Sequence, residues 1–254
     1  MPTQSVDRAI AVLKAYSVSE PVLGVTELSN RLGLHKSTVH RLLASLEIGG
    51  LVERDPRSRK YRLGMRLIEL GNTVLGSRRL PQVVLPYLRY LADTVEEMSY
   101  MAVLGGDATL AVIQVPSPHL VQSVSWVARG PLHATSSGKI FLSQMSEEEL
   151  ERLLAKGLPR LTSNTITDPA ALRDELRRVR EEGFATAFEE YEEGENAIAT
   201  PIARADQKAI AAISLVGPTY RFTREKVMKS ADVIKGVAGT ISRNLEPPPV
   251  DMVD

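Results

Sequence analysis

The sequence predicts an α+β chain of two domains, a small helical domain at the N-terminus and a larger domain built on one antiparallel sheet. Two observations support this division. Residues 25–62 contain two amphipathic segments separated by Gly33 and followed by two short alternating segments. From about residue 86, segments of strand periodicity are flanked by segments of helix periodicity, a mixture typical of an α+β domain. At 254 residues the chain is long enough to bury two cores.

The N-terminal domain begins with two predicted helices. Thr26 can cap the second, whose inward face holds Leu28 and Leu32. Gly33 then ends it where a tight turn needs a residue that tolerates unusual dihedrals. The apolar stripe of the first helix, expected to close the core of this domain, is Val6, Ile10 and Leu13.

A third helix is predicted from about His35, which either contacts phosphate or only caps the helix. Its buried stripe has the i, i+3, i+4, i+7 spacing and consists of Val39, Leu42, Leu43 and Leu46. A helix that buries leucines on one side and presents donors and cations on the other fits the major groove of DNA. Its open face carries Lys36, Ser37, Thr38, His40, Arg41 and Ser45.

Residues 51–54 and 60–63 alternate as two short strands around a turn sequence at 55–59. Helix, turn, helix and basic hairpin together predict a winged helix-turn-helix, and double-stranded operator DNA as its partner. The alternative is a helical hairpin that packs against another domain and carries solvated charges. The cations of the wing, expected to contact phosphates, are Arg57, Arg59 and Lys60.

The composition excludes several classes of protein. There is no cysteine, hence no disulfide framework and no thiolate metal site. The start, MPTQSVDRAI, lacks the regions of a signal peptide, and no apolar run reaches membrane-spanning length, so we expect a soluble cytoplasmic protein. Net charge is zero, but residues 1–70 carry 11 Lys and Arg against 7 Asp and Glu. The remaining 184 residues carry 20 against 24, and the basic end therefore suits nucleic acid.

After the wing, an apolar helix continues to about Pro81 through Met65, Leu67, Ile68, Leu70 and Val74. It either packs against its own domain or forms a dimer interface. The predicted organisation is a DNA-binding domain at 1–66, a linker helix at 67–86, an effector-binding domain at 87–246 and a loose tail at 247–254.

The second domain is expected to alternate strands and helices. A hairpin joins strands 100–104 and 109–115, and further strands are predicted at 120–127, 184–188, 196–203 and 209–216, the last two joined by a turn around Asp206. Helices are predicted at 87–98, from Ser146 towards Lys156, from Asp168 to about Glu182 and from Thr223 to about Asn244.

Several blocks of the sequence occur in a recognisable order. They are residues 5–9, 32–43 (LGLHKSTVHRLL), 130–139 (GPLHATSSGK), 183–185, 189–190, 194 and 199–202 (ATPI). With these blocks, the chain resembles the isocitrate-lyase-regulator (IclR) family of bacterial transcription factors over nearly its whole length. The resemblance implies a winged helix, a linker helix and an effector domain similar to the GAF small-molecule sensors. It also implies dimers, often assembled into tetramers.

The resemblance also carries over the effector site of the family, position by position. Three positions that are polar in well-known members are apolar here, which argues against a tiny, heavily hydrogen-bonded ligand such as a two-carbon acid. The implied effector is a compact, mostly apolar acid, for example a hydroxybenzoate. The corresponding residues are Ser136, Ser137, Ala187, Glu195, Ala197, Ser214 and Val216.

Within this site, a helix that starts near Ser136 would present hydroxyl and N–H groups to a carboxylate. Trp126 is either a core residue or a stacking wall for the ligand. Glu195 either accepts a hydrogen bond from a ring hydroxyl or points outward. Small residues can also let the core close and leave no cavity.

Other chemistry-bearing patterns have simpler interpretations. Residues 136–139 match a Ser-x-x-Lys nucleophile pattern, but its partner motifs are missing and anion binding is favoured. The histidines form no zinc pattern, and His133 is expected to satisfy a buried hydrogen bond. The carboxylates at 189–195 are expected to form a solvated loop, with Glu195 alone aimed at the pocket. We expect no metal and no cofactor.

The sequence therefore predicts a ligand-responsive transcriptional regulator, a repressor and not an enzyme. Two alternatives remain open. One is an enzyme of the sheet domain with an appended DNA-binding head. The other is a chromosome-architecture protein without an effector.

Overall fold

A computed structural model describes residues 3–17, 19–76, 80–119, 129–203 and 208–245. For residues 72, 74–76 and 81 it describes the backbone alone. The chain forms two compact units, residues 1–78 and 79–254. The predicted strand at 120–127, the turn around Asp206, the tail at 247–254 and Trp126 lie outside the described residues.

The first unit contains helices α1 (Gln4–Lys14), α2 (Val25–Leu32), α3 (Lys36–Ile48) and α4 (Arg66–Gly76). Strands β1 (Val22–Leu23), β2 (Val52–Arg54) and β3 (Tyr61–Leu63) form a small antiparallel sheet in the order β1-β3-β2. The winged helix-turn-helix is confirmed. Strand β1 was not predicted, because two residues are too few to show an alternating pattern.

Two details of this unit differ from the prediction. Thr26 is not a cap: helix α2 starts after Gly24, whose N–H donates to Oε2 of Glu27 at 2.6 Å. The predicted stripe of α1 is also wrong at Val6 and Ile10, which are 54% and 43% exposed, whereas Leu13 packs on the core as predicted. The buried side of α1 carries Ala9, Val12 and Leu13, and Tyr16, just after the end of the helix, joins them.

The turn between α2 and α3 follows the prediction. Gly33 has φ +63°, in the left-handed region that glycine adopts without strain. Helix α3 then buries Val39 and Leu43 completely, together with Leu28 of α2.

Within its described residues, the second unit is built on a six-stranded antiparallel sheet in the order β6-β5-β4-β9-β8-β7. Its strands are β4 (Met98–Leu104), β5 (Ala108–Val115), β6 (Arg129–Pro131), β7 (Ala185–Phe188), β8 (Glu195–Ile202) and β9 (Ala211–Pro218). Its helices are α5 (Leu80–Val95), α6 (Ser136–Ser143), α7 (Glu147–Leu154), α8 (Pro169–Glu182), α9 (Arg224–Lys229) and α10 (Ala231–Asn244).

Two predicted helices have different bounds. Helix α5 begins at Leu80 and passes through Pro86, instead of starting at about Tyr87. The predicted C-terminal helix is divided into α9 and α10 at Ser230, whose hydroxyl donates to the carbonyl of Lys226.

The two faces of the sheet pack against different helices. Large residues such as Ile198, Ile213 and Leu215 lie in the core beneath α5, α9 and α10. The alternate residues, which point to the other face, are small, among them Ala199 and Ala212 beneath α6 and α8. Because these side chains are short, helix α6 can approach the sheet closely.

Candidate nucleic-acid interface and ligand pocket

Helix α3 keeps its predicted polar residues on one open side. His35, Lys36, Ser37, His40 and Arg41 are exposed, and Thr38 is half-buried. Since the opposite side of the helix is closed by the core of the unit, these side chains are available to the edges of bases in a major groove.

The start of α3 is capped as predicted. Nδ1 of His35 accepts a hydrogen bond from the N–H of Ser37 at 3.3 Å and lies 2.7 Å from the Ser37 hydroxyl. The side chains of His35 and Ser37 therefore fix each other's position at the start of α3. The N–H groups of the first turn carry partial positive charge, which favours a nearby phosphate.

The tip of the wing is a fixed turn with exposed cations. The carboxylate of Asp55 accepts from the N–H and the hydroxyl of Ser58, at 2.8 and 2.6 Å, and these bonds lower the pKa of Asp55. Arg57 and Arg59 are exposed beside this turn, and Arg59 has φ +56°. The turn thus holds two guanidinium groups at its surface.

Lys60 differs from the other predicted phosphate ligands. Its Nζ lies 2.6 Å from Oε1 of Glu27, and this bond, followed by the Gly24 N–H, lowers the pKa of Glu27. Part of its charge is therefore already balanced. Over residues 19–76, by contrast, four predicted cations form no ion pair: Lys36, Arg41, Arg57 and Arg59.

In the second unit, a half-open cavity lies between the small-residue face of the sheet and the start of α6. Its volume of about 50 Å³ leaves room for several waters or one compact molecule. It is lined by Met98, Tyr100, Thr109, Ala111, Gln114, Gly130, Ala134, Thr135, Ser136, Ala187, Glu190, Tyr191, Glu195, Ala197 and Val216.

Five of the predicted effector residues line this cavity. Ala187, Ala197 and Val216 form a buried apolar cluster with Met98. Ser136 and Glu195 also line the cavity. The small side chains leave space, so the alternative that they close the core completely does not apply here. Ser137 and Ser214 are buried without lining the cavity directly.

Buried hydroxyl groups surround Tyr100, a residue that the sequence analysis missed. Its OH lies 3.5 Å from the Ser137 hydroxyl, and it is paired across the sheet with Ser214. Burial raises the pKa of Tyr100, which keeps its hydroxyl protonated. Contacts of the Tyr100 hydroxyl with Ser137, Ser214 and Ser136 oppose this shift in its pKa. Among the described residues, neither Ser136 nor Ser214 has a hydrogen bond of good geometry for its buried hydroxyl. The cavity is therefore bordered by hydroxyl groups that can donate to a ligand.

The start of α6 is held close to the preceding loop. Oγ1 of Thr135 accepts from the N–H of Gly138 at 3.1 Å, and Lys139 makes the first helical bond to the Thr135 carbonyl. A Cβ at position 138 would fall on the backbone of Leu132, so that only glycine fits. This contact places the N–H groups of the first turn beside the cavity.

The acidic segment 189–195 is not uniformly solvated, which corrects the prediction. Glu192 and Glu193 are exposed, but Glu190 is buried, because it pairs with a lysine from α6. Nζ of Lys139 lies 2.7 Å from Oε1 of Glu190, 3.2 Å from Oε1 of Glu175 and 2.9 Å from the Thr186 carbonyl. Burial raises the pKa of Glu190, and Lys139 opposes that shift.

Lys139 is also the lysine of the Ser-x-x-Lys pattern. Its ammonium donates to two carboxylates and one carbonyl, an arrangement that stabilises a cation and not a general base. Nε2 of His133 lies 3.0 Å from the Pro159 carbonyl, as expected for a buried, satisfied histidine. The part of the chain with described side chains contains no group of His, Asp and Glu suited to a metal ion. In that same part, no helix is long and apolar enough to cross a membrane.

Comparisons with known proteins match both units. A model of the IclR helix-turn-helix domain matches residues 5–56, and a model of the C-terminal domain of the bacterial transcriptional regulator IclR matches residues 72–243. The transcriptional repressor IclR of Escherichia coli is 34% identical over 237 residues, covering 91% of this chain and 86% of its own. The transcriptional regulator XynR of Escherichia coli is 31% identical over 244 residues, covering 95% and 97%.

A solved structure adds a bound ligand to this comparison. An IclR homologue from Microbacterium hydrocarbonoxydans, complexed with 4-hydroxybenzoate, is 32% identical with a TM-score of 0.81, covering 95% of this chain and 99% of its own. A helix-turn-helix domain of this family binds DNA, and the C-terminal domain binds a small-molecule effector. Because its relatives are transcriptional regulators and both domain models match, the chain belongs to the IclR family of bacterial transcriptional regulators and is not an enzyme.

Proposed function

We propose that this regulator is a ligand-responsive repressor that binds operator DNA as a dimer or tetramer and senses a compact, mostly apolar organic acid. The observation that carries the proposal is the cavity in the second unit. There, buried hydroxyls without a well-formed hydrogen bond and the start of a helix meet apolar side chains.

The donors around the cavity favour an acid. The hydroxyl of Ser136 and the first N–H groups of α6 border one side, and the partial positive charge of the helix start suits a carboxylate. Tyr100 adds a protonated hydroxyl next to them. Ser137 and Ser214 complete this set behind the lining.

The apolar part of the lining favours an apolar body. Met98, Ala187, Ala197 and Val216 present only carbon atoms and one thioether to the cavity. The relative from Microbacterium hydrocarbonoxydans, whose structure contains 4-hydroxybenzoate, supports an aromatic carboxylate as the effector. Trp126, proposed as a further wall, lies outside the described residues.

For DNA, we propose that α3 contacts bases and the wing contacts phosphates. The base contacts come from the open face of α3, which carries Ser37, Thr38, His40 and Arg41. The start of the helix, with His35 and Lys36, then lies near the sugar-phosphate backbone of the DNA. Arg57, Arg59 and Lys60 contact phosphates from the wing. The relative named as a repressor in Escherichia coli supports repression.

Exposed apolar residues on α1 and around α4 support assembly of two copies. Around α4, the exposed fractions are 64% for Met65, 55% for Ile68 and 49% for Leu70. On α1, they are 54% for Val6 and 43% for Ile10. A second copy would remove such surface from water.

The experiment begins with DNA upstream of the regulator's own gene and of its neighbours. Footprinting identifies the operator, and fluorescence anisotropy then measures its affinity with and without benzoate, 4-hydroxybenzoate, pyruvate and glyoxylate. We expect an aromatic acid to lower the affinity. A protein that binds no defined site, or one whose site affinity changes only with glyoxylate or pyruvate, would contradict the proposal.

A further inference from the structure

The two oxygens of the Glu190 carboxylate have different surroundings. Oε1 accepts from Nζ of Lys139 at 2.7 Å and from the N–H of Phe188 at 3.4 Å. Oε2 is buried and has no hydrogen-bond partner within the described parts of the chain. The residue as a whole is only 7% exposed.

A buried acceptor without a partner costs free energy, and native proteins seldom keep one. The cost here is not relieved by rotating the carboxylate, because Lys139 holds the other oxygen. Lys139 is itself 1% exposed and is fixed from three sides by Glu190, Glu175 and the Thr186 carbonyl. Glu190 is therefore a rigid, incompletely satisfied group.

Glu190 acts as an acceptor in this cluster, because Oε1 receives the ammonium of Lys139. Glu175 also binds Arg178, with Nη2 at 2.8 Å and Nε at 3.0 Å, and these two contacts together with Lys139 outweigh burial and lower the pKa of Glu175. Nη1 of Arg178 also donates to Glu182 at 2.6 Å, so that two cations hold three carboxylates in one cluster. Lys139 contributes its charge from behind Glu190 and is not part of the cavity wall.

Glu190 lines the cavity, as does Glu195. The described lining contains these two carboxylates and no Lys or Arg. The lining therefore offers donors, around Ser136 and Tyr100, together with an acceptor at Glu190. A simple acid would satisfy the donors and leave Oε2 unpaired.

We propose that Oε2 of Glu190 accepts a hydrogen bond from the effector, so that the effector bears a hydroxyl or amino group in addition to its acid group. This inference rests on the proposed function, since it names a second group on the same ligand. Glu190 would then determine which of several acids of similar size binds more tightly.

The test compares acids that differ only in this donor. Calorimetry on the full-length protein measures the dissociation constants of benzoate, 4-fluorobenzoate, 3- and 4-hydroxybenzoate and 4-aminobenzoate. We expect a donor-bearing acid to bind about tenfold more tightly than 4-fluorobenzoate, as for a hydrogen bond to a charged group. The hydroxyl and amino compounds distinguish the two sources of the donor.

The variant Glu190→Gln, which keeps the shape of the side chain, should reduce that ratio to a few-fold. Glu192→Gln, an exposed change in the same segment, should leave it unaltered. Equal binding of the fluoro and hydroxy compounds by the unmodified protein would overturn the inference even if Glu190→Gln failed to fold. So would an unchanged ratio in a folded Glu190→Gln protein, as expected if a water satisfies Oε2.

Operator affinity, measured in the same samples, separates this inference from the proposed function. If the acids with a donor bind more tightly but operator affinity does not change, the proposed regulation is contradicted and the role of Glu190 is supported. If the acids release the operator but show no preference for a donor, the regulation is supported and the role of Glu190 is contradicted. If none of the five acids binds, both the acid class and the donor requirement are wrong.

Discussion

Nζ of Lys60 lies 2.6 Å from Oε1 of Glu27, so the base of the wing is joined to the first turn of α2. Oε2 of the same carboxylate accepts a hydrogen bond from the N–H of Gly24. The side chain of Glu27 thus fixes the start of α2 and also holds Lys60, which was predicted from the sequence to contact a phosphate.

This ion pair changes what is expected of substitutions on the wing. Arg57→Ala and Arg59→Ala should weaken binding to all DNA sequences alike, and each lost phosphate contact should reduce the slope of log affinity against log salt by about 0.9. Lys60→Ala should reduce the slope by less, because Glu27 already balances part of its charge. Anisotropy at several salt concentrations measures this. An equal loss of slope in all three variants would show that Lys60 leaves Glu27 when DNA binds.

Arg41 is expected to contact a base. Arg41→Ala should cost about 1–3 kcal/mol at the operator and relax the preference at one base pair. Competition with single-base operator variants checks this. Arg177→Ala, which removes an exposed arginine from α8, is the control and should change neither affinity nor preference. An unaltered preference in Arg41→Ala would remove this residue from the base-contacting set.

The operator should be a partial palindrome, because a two-fold dimer presents two α3 helices about one turn of DNA apart, near 10 base pairs. Ile68→Asp should reduce dimerisation without unfolding the protomer, since this side chain is 55% exposed. Light scattering at micromolar concentration measures the assembly. Leu161→Asp, an equivalent change at a 44% exposed site of the second unit, is the control. A monomer in the unmodified protein, with or without DNA, would contradict this prediction.

Gly138 should not tolerate a methyl group. Gly138→Ala places a Cβ against the backbone of Leu132 and should destabilise the second unit by about 1–3 kcal/mol. Gly236→Ala, in an open position of α10, should instead be neutral or stabilising by up to about 1 kcal/mol. Thermal unfolding of both variants gives the comparison. Equal stabilities would mean that α6 can move away from Leu132 without loss.

The pH dependence of the wing follows from two carboxyls. The pKa values of Glu27 and Asp55 are lowered, by Lys60 and by Ser58 respectively, so both groups bind a proton less readily in the folded chain. Their contacts should therefore be complete at neutral pH and be lost only when the pH falls below the usual carboxyl range of about 4. NMR shifts of the Gly24 and Ser58 amides report this titration. Midpoints at or above the usual values would show that these bonds do not persist in solution.

Local patterns were enough to predict the helix-turn-helix of the first unit and its wing. The spacing of Val39, Leu43 and Leu46 fixes which side of α3 is open, and Gly33 marks the turn, because both signals involve neighbours along the chain. The cap of α2 was missed, since it depends on Glu27 reaching back to Gly24 and not on the hydroxyl of Thr26.

The pocket was predictable in part. The resemblance to the family located Ser136, Ala187, Ala197 and Val216, which the sheet and α6 bring together. Glu190 and Tyr100 were missed for a physical reason. The partner of Glu190 lies 51 residues away, so nothing near it in the sequence distinguishes it from its solvated neighbours. Tyr100 looks like any alternating strand residue until its strand is paired with that of Ser214.

The division of side chains between the two faces of strands β8 and β9 separates two kinds of evolutionary change. Ile198, Ile213 and Leu215 hold the sheet to α5 and α10, whereas Ala197 and Val216, next to Ile198 and Leu215 in the sequence, line the cavity. A replacement at position 197 or 216 therefore alters the shape offered to a ligand and leaves the core beneath α5 and α10 unchanged. One scaffold can in this way acquire a new specificity by single steps, each of which remains stable enough to be retained.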